Sequence, residues 1–194
     1  DSIYGPYGPR CVAVPHGDRF VLDGGAWTLE MYVKLAADTD GTLLRYAVGG
    51  GAQFSLSVTG GVPQVSFTDL AGNERTASAE GAVSNNEWHY LAATWNPTEQ
   101  ALTLYVDSLI FVLDDEALGV TDVQPISGRG SLSIGAGMTN GWVDEIRVWN
   151  TAREADELEA NREVMVNSNA EDLLLYYRFD DGGATAEDFA SRGN

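Results

Sequence analysis

Hydrophobic and polar residues alternate along this chain far more often than they recur at helical spacing. The clearest run is W-T-L-E-M-Y-V-K-L, Trp27 to Leu35. There Trp27, Leu29, Met31 and Val33 fall on one face of an extended strand and Thr28, Glu30, Tyr32 and Lys34 on the other. The same period predicts strands at Arg10 to Val14, Arg19 to Leu22, Leu43 to Val48, Phe54 to Val58, Gln64 to Thr68, Arg75 to Ala79 and Trp88 to Trp95. It continues through Ala101 to Asp107 and Leu109 to Asp114, joined by a tight turn at Asp107-Ser108, then Ser131 to Gly135, Gly141 to Asn150 and Leu173 to Asp180. Gly, Asn and Asp punctuate the connections, and the loop Asn96 to Gln100 closes a hairpin. Residues 115 to 129 are irregular. About thirteen strands at short spacing, with no βαβ rhythm, imply an all-β fold: an antiparallel sandwich of two sheets face to face.

The stretch G-W-V-D-E-I-R-V-W-N, Gly141 to Asn150, carries the one change of period. Parity puts Trp142 and Asp144 on the face of Ile146 and Val148, with Asp144 and Glu145 pointing to opposite faces. A helix follows over Ala152 to Val164, opened by Thr151 and Glu154 at capping-box spacing. Its Glu154, Asp156, Glu157, Glu159 and Glu163 give it a solvated acidic face.

Length and composition change this picture little: 194 residues at 44% hydrophobic content suffice for one domain over 1–194. Residues 1–9 form a turn-rich segment that wraps the surface, and 184–194 form a tail. The chain starts at Asp1, which reads as a segment processed or excised from something longer. No apolar run reaches the length of a membrane span, so no membrane insertion is expected.

Charge matters more. Twenty-nine acidic residues against eleven basic ones, ten of them Arg, leave a formal charge of −18. Such a field repels nucleic acid and anionic lipid and favours divalent cations, although it also serves solubility outside the cell. The single cysteine, Cys11, excludes an internal disulfide and sits in an apolar run as a small core residue. His89 lies in a strand and His16 in a turn, with no G-x-S-x-G, phosphate loop or zinc spacing near either. His89 therefore reads as a structural residue.

The succession W-T-L-E-M-Y-V-K (27 to 34), E-W-H-Y-L-A-A-T-W (87 to 95), L-T-L-Y-V-D (102 to 107), L-S-I-G-A (132 to 136), G-W-V-D-E-I-R-V-W-N-T-A-R (141 to 153) and L-Y-Y-R-F-D-D-G (175 to 182) resembles the laminin-G-like family of the concanavalin A-like lectin and glucanase superfamily. The resemblance covers about Arg10 to Gly183 and implies a jelly-roll sandwich, often one module of a larger extracellular or cell-surface protein. In tandem arrays a segment like Y-Y-R-F-D-D-G-G opens the next module, so the last strand belongs either to this module or to a following repeat. Glucan hydrolases of the superfamily carry an E-x-D-x-E or E-x-D-x-x-E run on one strand. No predicted strand carries one; the nearest approaches, Asp114-Asp115-Glu116 at a strand end and Asp156-Glu157 with Glu159 on the helix, read as solvated surface, which argues against an enzyme and against any catalytic residue.

The resemblance also implies a structural Ca²⁺ held by the acid of the V-D-E-I-R strand, here Asp144, together with carbonyls of the N-terminal segment. Asp18 is a weaker companion. The alternative for Asp144 is pairing with an arginine such as Arg178 or with backbone N–H groups. The D-T-D-G run, Asp38 to Gly41, lacks the later ligands of an EF-hand and reads as a turn, while Asp69 or Asp115 could serve a rim Ca²⁺. Among the aromatics, Trp27, Trp88 and Trp149 have core explanations in alternating strands. Trp142, Tyr4 and Tyr7 are the ones placed where a ligand could reach, with packing as the alternative for each. The expectation is a non-catalytic recognition module binding a glycan or extracellular protein, covalently joined to other domains. The alternatives are a structural spacer and, further off, a glucanase-like hydrolase.

Overall fold

An alternating strand hides its apolar face only against a second apolar layer, and this chain supplies one sheet for the other. The structure, a computed structural model, describes residues 25–113, 123–138, 140–180 and 186–190, with the backbone of 12–14. One six-stranded sheet is built from β1 (Val12–Val14), β3 (Gly41–Val48), β4 (Gly51–Thr59), β5 (Val62–Thr68), β6 (Glu74–Ser78) and β10 (Ser131–Ile134). The other contains β2 (Trp27–Leu35), β7 (Trp88–Asn96), β8 (Ala101–Val106), β9 (Leu109–Leu113), β11 (Gly141–Trp149) and β12 (Leu173–Tyr177). Their orders are β1-β10-β3-β4-β5-β6 and β12-β11-β2-β7-β8-β9, every pairing antiparallel. The chain crosses between sheets after β1, β2, β6, β9 and β10, which gives the expected two-sheet jelly-roll sandwich.

The predicted apolar face of β2 is the centre of the core. Trp27, Leu29, Met31 and Val33 are fully buried in one cluster with Leu44, Phe54, Leu56 and Phe67 of the opposite sheet. Trp27 meets Phe54 at 5.5 Å between ring centroids and Phe67 meets Trp95 at 4.9 Å, both tilted, an arrangement the ring quadrupoles favour. The first sheet turns a polar outer face away from this core: Ser133, Arg45, Ser55, Ser66 and Thr76 stand side by side across it.

Two rim expectations resolve here. Asp38 to Gly41 is a turn, as read from the sequence, with Asp38 at φ 58° and Gly41 at φ 135°. Asp69 is buried and committed inside the protein, accepting the Asn73 N–H at 2.8 Å and Arg75 Nε at 2.9 Å. Burial pushes its carboxyl upward, but the Asn73 and Arg75 hydrogen bonds outweigh that and hold it below the usual range. Asp115, Cys11, His16 and the Arg19 to Leu22 strand lie outside the described residues.

The helix differs from expectation. It spans only α1 (Ala155–Asn161), with Glu154 as N-cap, and the Glu157 carboxylate accepts the Glu154 N–H at 2.9 Å, so the box sits three residues later than Thr151 and Glu154. The cause is Thr28 on β2: its hydroxyl donates to Thr151 O at 2.6 Å and accepts the Arg153 N–H at 2.9 Å, which keeps this stretch extended along the sheet. The last strand is likewise shorter than predicted, ending at Tyr177.

Gly41 joins the turn to β3 under two constraints, its positive φ and a Cβ position only 2.6 Å from the Gly137 backbone. Gly41→Ala should therefore cost about 2–4 kcal/mol in urea unfolding. Gly50→Ala, which meets nothing within 4 Å, should stay within about 0.5 kcal/mol of wild type.

Candidate functional site

The outer face of the second sheet is built differently from that of the first. Between Asp144, opposite Tyr32, and Arg147, opposite Glu30, β11 takes three steps while β2 takes two. This is a β-bulge, with Glu145 at φ 50° as the extra residue. The bulge corrects the parity reading. Val143, Ile146 and Val148 face the core, whereas Trp142, Asp144 and Arg147 face outward with Tyr32 and Glu30. Asp144 and Glu145 accordingly line the same cleft rather than opposite faces.

Cross-strand pairing arranges this face in rows: Trp88, Lys34, Trp142; then Tyr90, Tyr32, Asp144; then Ala92, Glu30, Arg147. The third row is sealed. Glu30 is 1% and Arg147 2% exposed, although both stand on the face that sequence parity made polar. Glu30 accepts Tyr90 Oη at 2.8 Å and Trp149 Nε1 at 2.6 Å, and lies 3.5 Å from Arg147 Nη1. Arg147 donates to Glu145 at 2.6 Å and to the carbonyls of Asn161 and Val164, each at 2.9 Å. Tyr176 adds its hydroxyl to Glu145 at 2.5 Å and its ring to Arg147 at 5.0 Å. Burial and the charge and hydrogen bond of Glu30 hold the Tyr90 hydroxyl far above its ordinary range.

This network fixes the end of α1 and the turn after it against the sheet. Leu158 is buried against Tyr90 and Ala92, and Arg147 holds the chain on either side of Arg162 and Glu163. A cleft of about 440 Å³ remains between the turn and the first two rows. Its walls are Arg162, Glu163, Val164 and Met165 on one side and Tyr32, Trp88, Asp144 and Glu145 on the other. Trp88 is 48% and Met165 67% exposed.

Trp88 is thus an exposed, cleft-lining aromatic that the sequence reading assigned to the core. The signal was present: Trp88 has the parity of Tyr90 and Ala92, opposite to the core residues Leu91, Ala93 and Trp95. Trp149 is buried as expected, but outside the main core, with Leu173 and Tyr176. Trp142 is half-buried, with Lys34 Nζ 5.9 Å from its ring centroid. Tyr4, Tyr7 and Asp18 lie outside the described residues. His89 is a structural residue in the expected sense, bridging Asp107 at 2.8 Å and Asn85 at 3.0 Å.

Asp144 does not pair with Arg178, which instead binds Asp180 and approaches Glu145 at 3.9 Å. Its Oδ1 accepts the Glu145 N–H at 2.9 Å. Burial, joined by the charges of Glu145 and Asp180 and opposed by that N–H, holds its carboxyl above the usual range. Among the described residues no group of three or more His, Cys, Asp or Glu side chains is arranged to hold a metal ion. Of the carboxylates beside it, Glu145 is tied to Arg147 and Tyr176, and the carbonyls of the N-terminal segment lie outside the described residues. Also among these residues, no helix is long and apolar enough to cross a membrane.

A sandwich of this topology, with a cleft on one outer face, defines the class of concanavalin A-like β-sandwich proteins. The laminin-G model described as "Concanavalin A-like lectin/glucanases superfamily" matches residues 11–159, and the chain belongs to that family. No curated protein matches it. Among solved structures, a Bacteroides ovatus protein described as a candidate carbohydrate-binding protein is similar at TM-score 0.63 and 16% identity, over 92% of this chain and 52% of that one. The binding domain of botulinum neurotoxin DC is similar in its complex with rat synaptotagmin II, at TM-score 0.61 and 10% identity over 81% of this chain and 41% of that one. In its complex with SialylT the TM-score is 0.57 at 10% identity, over 72% and 35%. The chain spans about a third to a half of those chains, and at such identities the likeness is one of fold.

Removing Arg147 would leave Glu30 buried beside its remaining donors and free the turn at 162–165. Arg147→Met should cost about 3–5 kcal/mol in equilibrium unfolding and speed limited proteolysis within 162–165. Replacing Glu30 by Leu in the same chain should restore only part of that loss, because Tyr90 and Trp149 then lose their acceptor.

Proposed function

We propose that this chain is a non-catalytic recognition module of a larger secreted or surface protein, binding a glycan or an extracellular protein partner in the cleft over the second sheet. The observation that carries the reading is Trp88: a half-exposed indole beside Tyr32, on a rigid sheet, with carboxylates along the opposite edge. A flat apolar face flanked by hydrogen-bond acceptors suits a pyranose ring, whose C–H face stacks while its hydroxyls donate. The similar solved structures include a binding domain in complex with SialylT and in complex with rat synaptotagmin II, which supports both partner classes. Against catalysis stands the state of the carboxylates. Glu145 is tied to Arg147 and Tyr176 rather than free to act as the nucleophile or acid of a hydrolase. The serine-lined outer face of the first sheet carries no large aromatic among the described residues, which suits a spacer surface on that side.

Calcium enters the proposal through Asp144. Its half-buried position beside Glu145 and Asp180 concentrates negative charge that a divalent cation would neutralise. Bound there with carbonyl oxygens, the ion would order the chain around β11.

Titration with mixed oligosaccharides, followed by tryptophan fluorescence, should show saturable quenching in the wild type. Trp88→Ala should abolish it while leaving the unfolding midpoint within about 0.5 kcal/mol of wild type. Unchanged binding by Trp88→Ala would move the site elsewhere. For calcium, the wild type should melt several degrees higher in millimolar CaCl₂ than in EDTA. A ligand at about 100 times its dissociation constant adds about 2.7 kcal/mol, and Asp144→Ala should lose the shift.

A further inference from the structure

We infer that the cleft selects uncharged saccharides and rejects anionic ones such as sialylated or sulfated glycans; the inference rests on the cleft being a glycan site. The argument is an inventory of the charges around Trp88. Both basic residues that line the cleft are already engaged. Arg147 is buried and spends its donors on Glu145, Asn161 O and Val164 O. Arg162 pairs with Glu159 at 3.0 Å and approaches Glu163 at 4.0 Å. The Lys34 ammonium lies over the Trp142 ring, on the row shared with Trp88.

The acidic groups are not balanced in the same way. Asp144 has no ion-pair partner among the described basic side chains, and Glu163 is largely exposed at the cleft wall. An anionic sugar stacked on Trp88 would bring its carboxylate or sulfate against Asp144 and Glu163, with no free guanidinium to receive it. The chain's formal charge of −18 adds a long-range term of the same sign. A neutral hexose has only hydroxyl donors to offer, and acceptor oxygens are what this edge supplies. The carboxylates therefore work by exclusion as much as by attraction, which is how one cleft discriminates between sugars of equal shape.

The test is an array of neutral oligosaccharides of glucose, galactose, mannose and xylose, printed beside sialylated and sulfated forms and a lysine-rich peptide. It is probed with wild type, Trp88→Ala and Glu163→Lys, in CaCl₂ and in EDTA. Wild type should bind at least one neutral glycan at least about tenfold more tightly than its sialylated counterpart. Trp88→Ala should lose at least about tenfold on that glycan, and Glu163→Lys should narrow the neutral-to-anionic ratio severalfold. Equal or tighter binding of anionic glycans, lost in Trp88→Ala, would overturn the charge selectivity and leave the glycan site standing. Binding of the basic peptide with no glycan bound would overturn both, and would assign the cleft to a cationic protein partner.

Discussion

The contact between Arg147 and Glu30 is the constraint on which the cleft side of this molecule depends. Two charges almost wholly removed from water, 3.5 Å apart, must have their remaining donors and acceptors satisfied, or the cost runs to several kcal/mol. The protein meets that demand with groups from distant parts of the chain: Tyr90 from β7, Trp149 and Glu145 from β11, Tyr176 from β12, and two carbonyls flanking the turn after α1. An apolar pair of the same size could have been as stable, since buried ion pairs gain little net free energy. What the pair adds is position. A guanidinium donates along fixed directions in its plane, so the turn at 162–165 is held at one height above the sheet.

The bulge at Glu145 makes this arrangement available. Without the extra residue, Arg147 and Asp144 would point to opposite faces, and either the guanidinium or the carboxylate would enter the apolar core. With it, both face outward while Ile146 and Val148 stay inside. The strand thus contributes to two layers at once, closing the core on one side and building the cleft on the other. The first sheet has register shifts of its own between β3 and β4, at Thr42/Leu44 and Tyr46/Ala47, but the row through Ser133, Arg45, Ser55 and Ser66 stays polar. The cleft is therefore built where β11 departs from regular alternation, on a scaffold whose core packing is ordinary.

The division between rigid and adaptable parts follows from the same contacts. Tyr32 and Trp88 stand on central paired strands, while Met165 and Glu163 stand on a short turn tied down at Asn161 and Val164. A ligand in the cleft would meet a preformed aromatic floor and a wall able to adjust in its side chains, the usual economy of a site on a β-sandwich.

Alternation alone determined the all-β class, the positions of most strands, the core face of β2 and the turn at Asp38 to Gly41, because a buried face two residues in period is a local property that each strand states for itself. The family could likewise be named from ordered motifs. The tertiary structure decided where parity fails and why. One bulge, visible only in the pairing of β11 with β2, moved Trp142 and Asp144 to the outer face, and the burial of Glu30 followed from partners up to 119 residues away in sequence. Thr28 displaced the helix cap by holding Thr151 and Arg153 along the sheet, a contact no local spacing encodes. Trp88 lay between the two cases: its parity was legible, but whether its face would be covered depended on how far α1 and the following turn reached across the sheet.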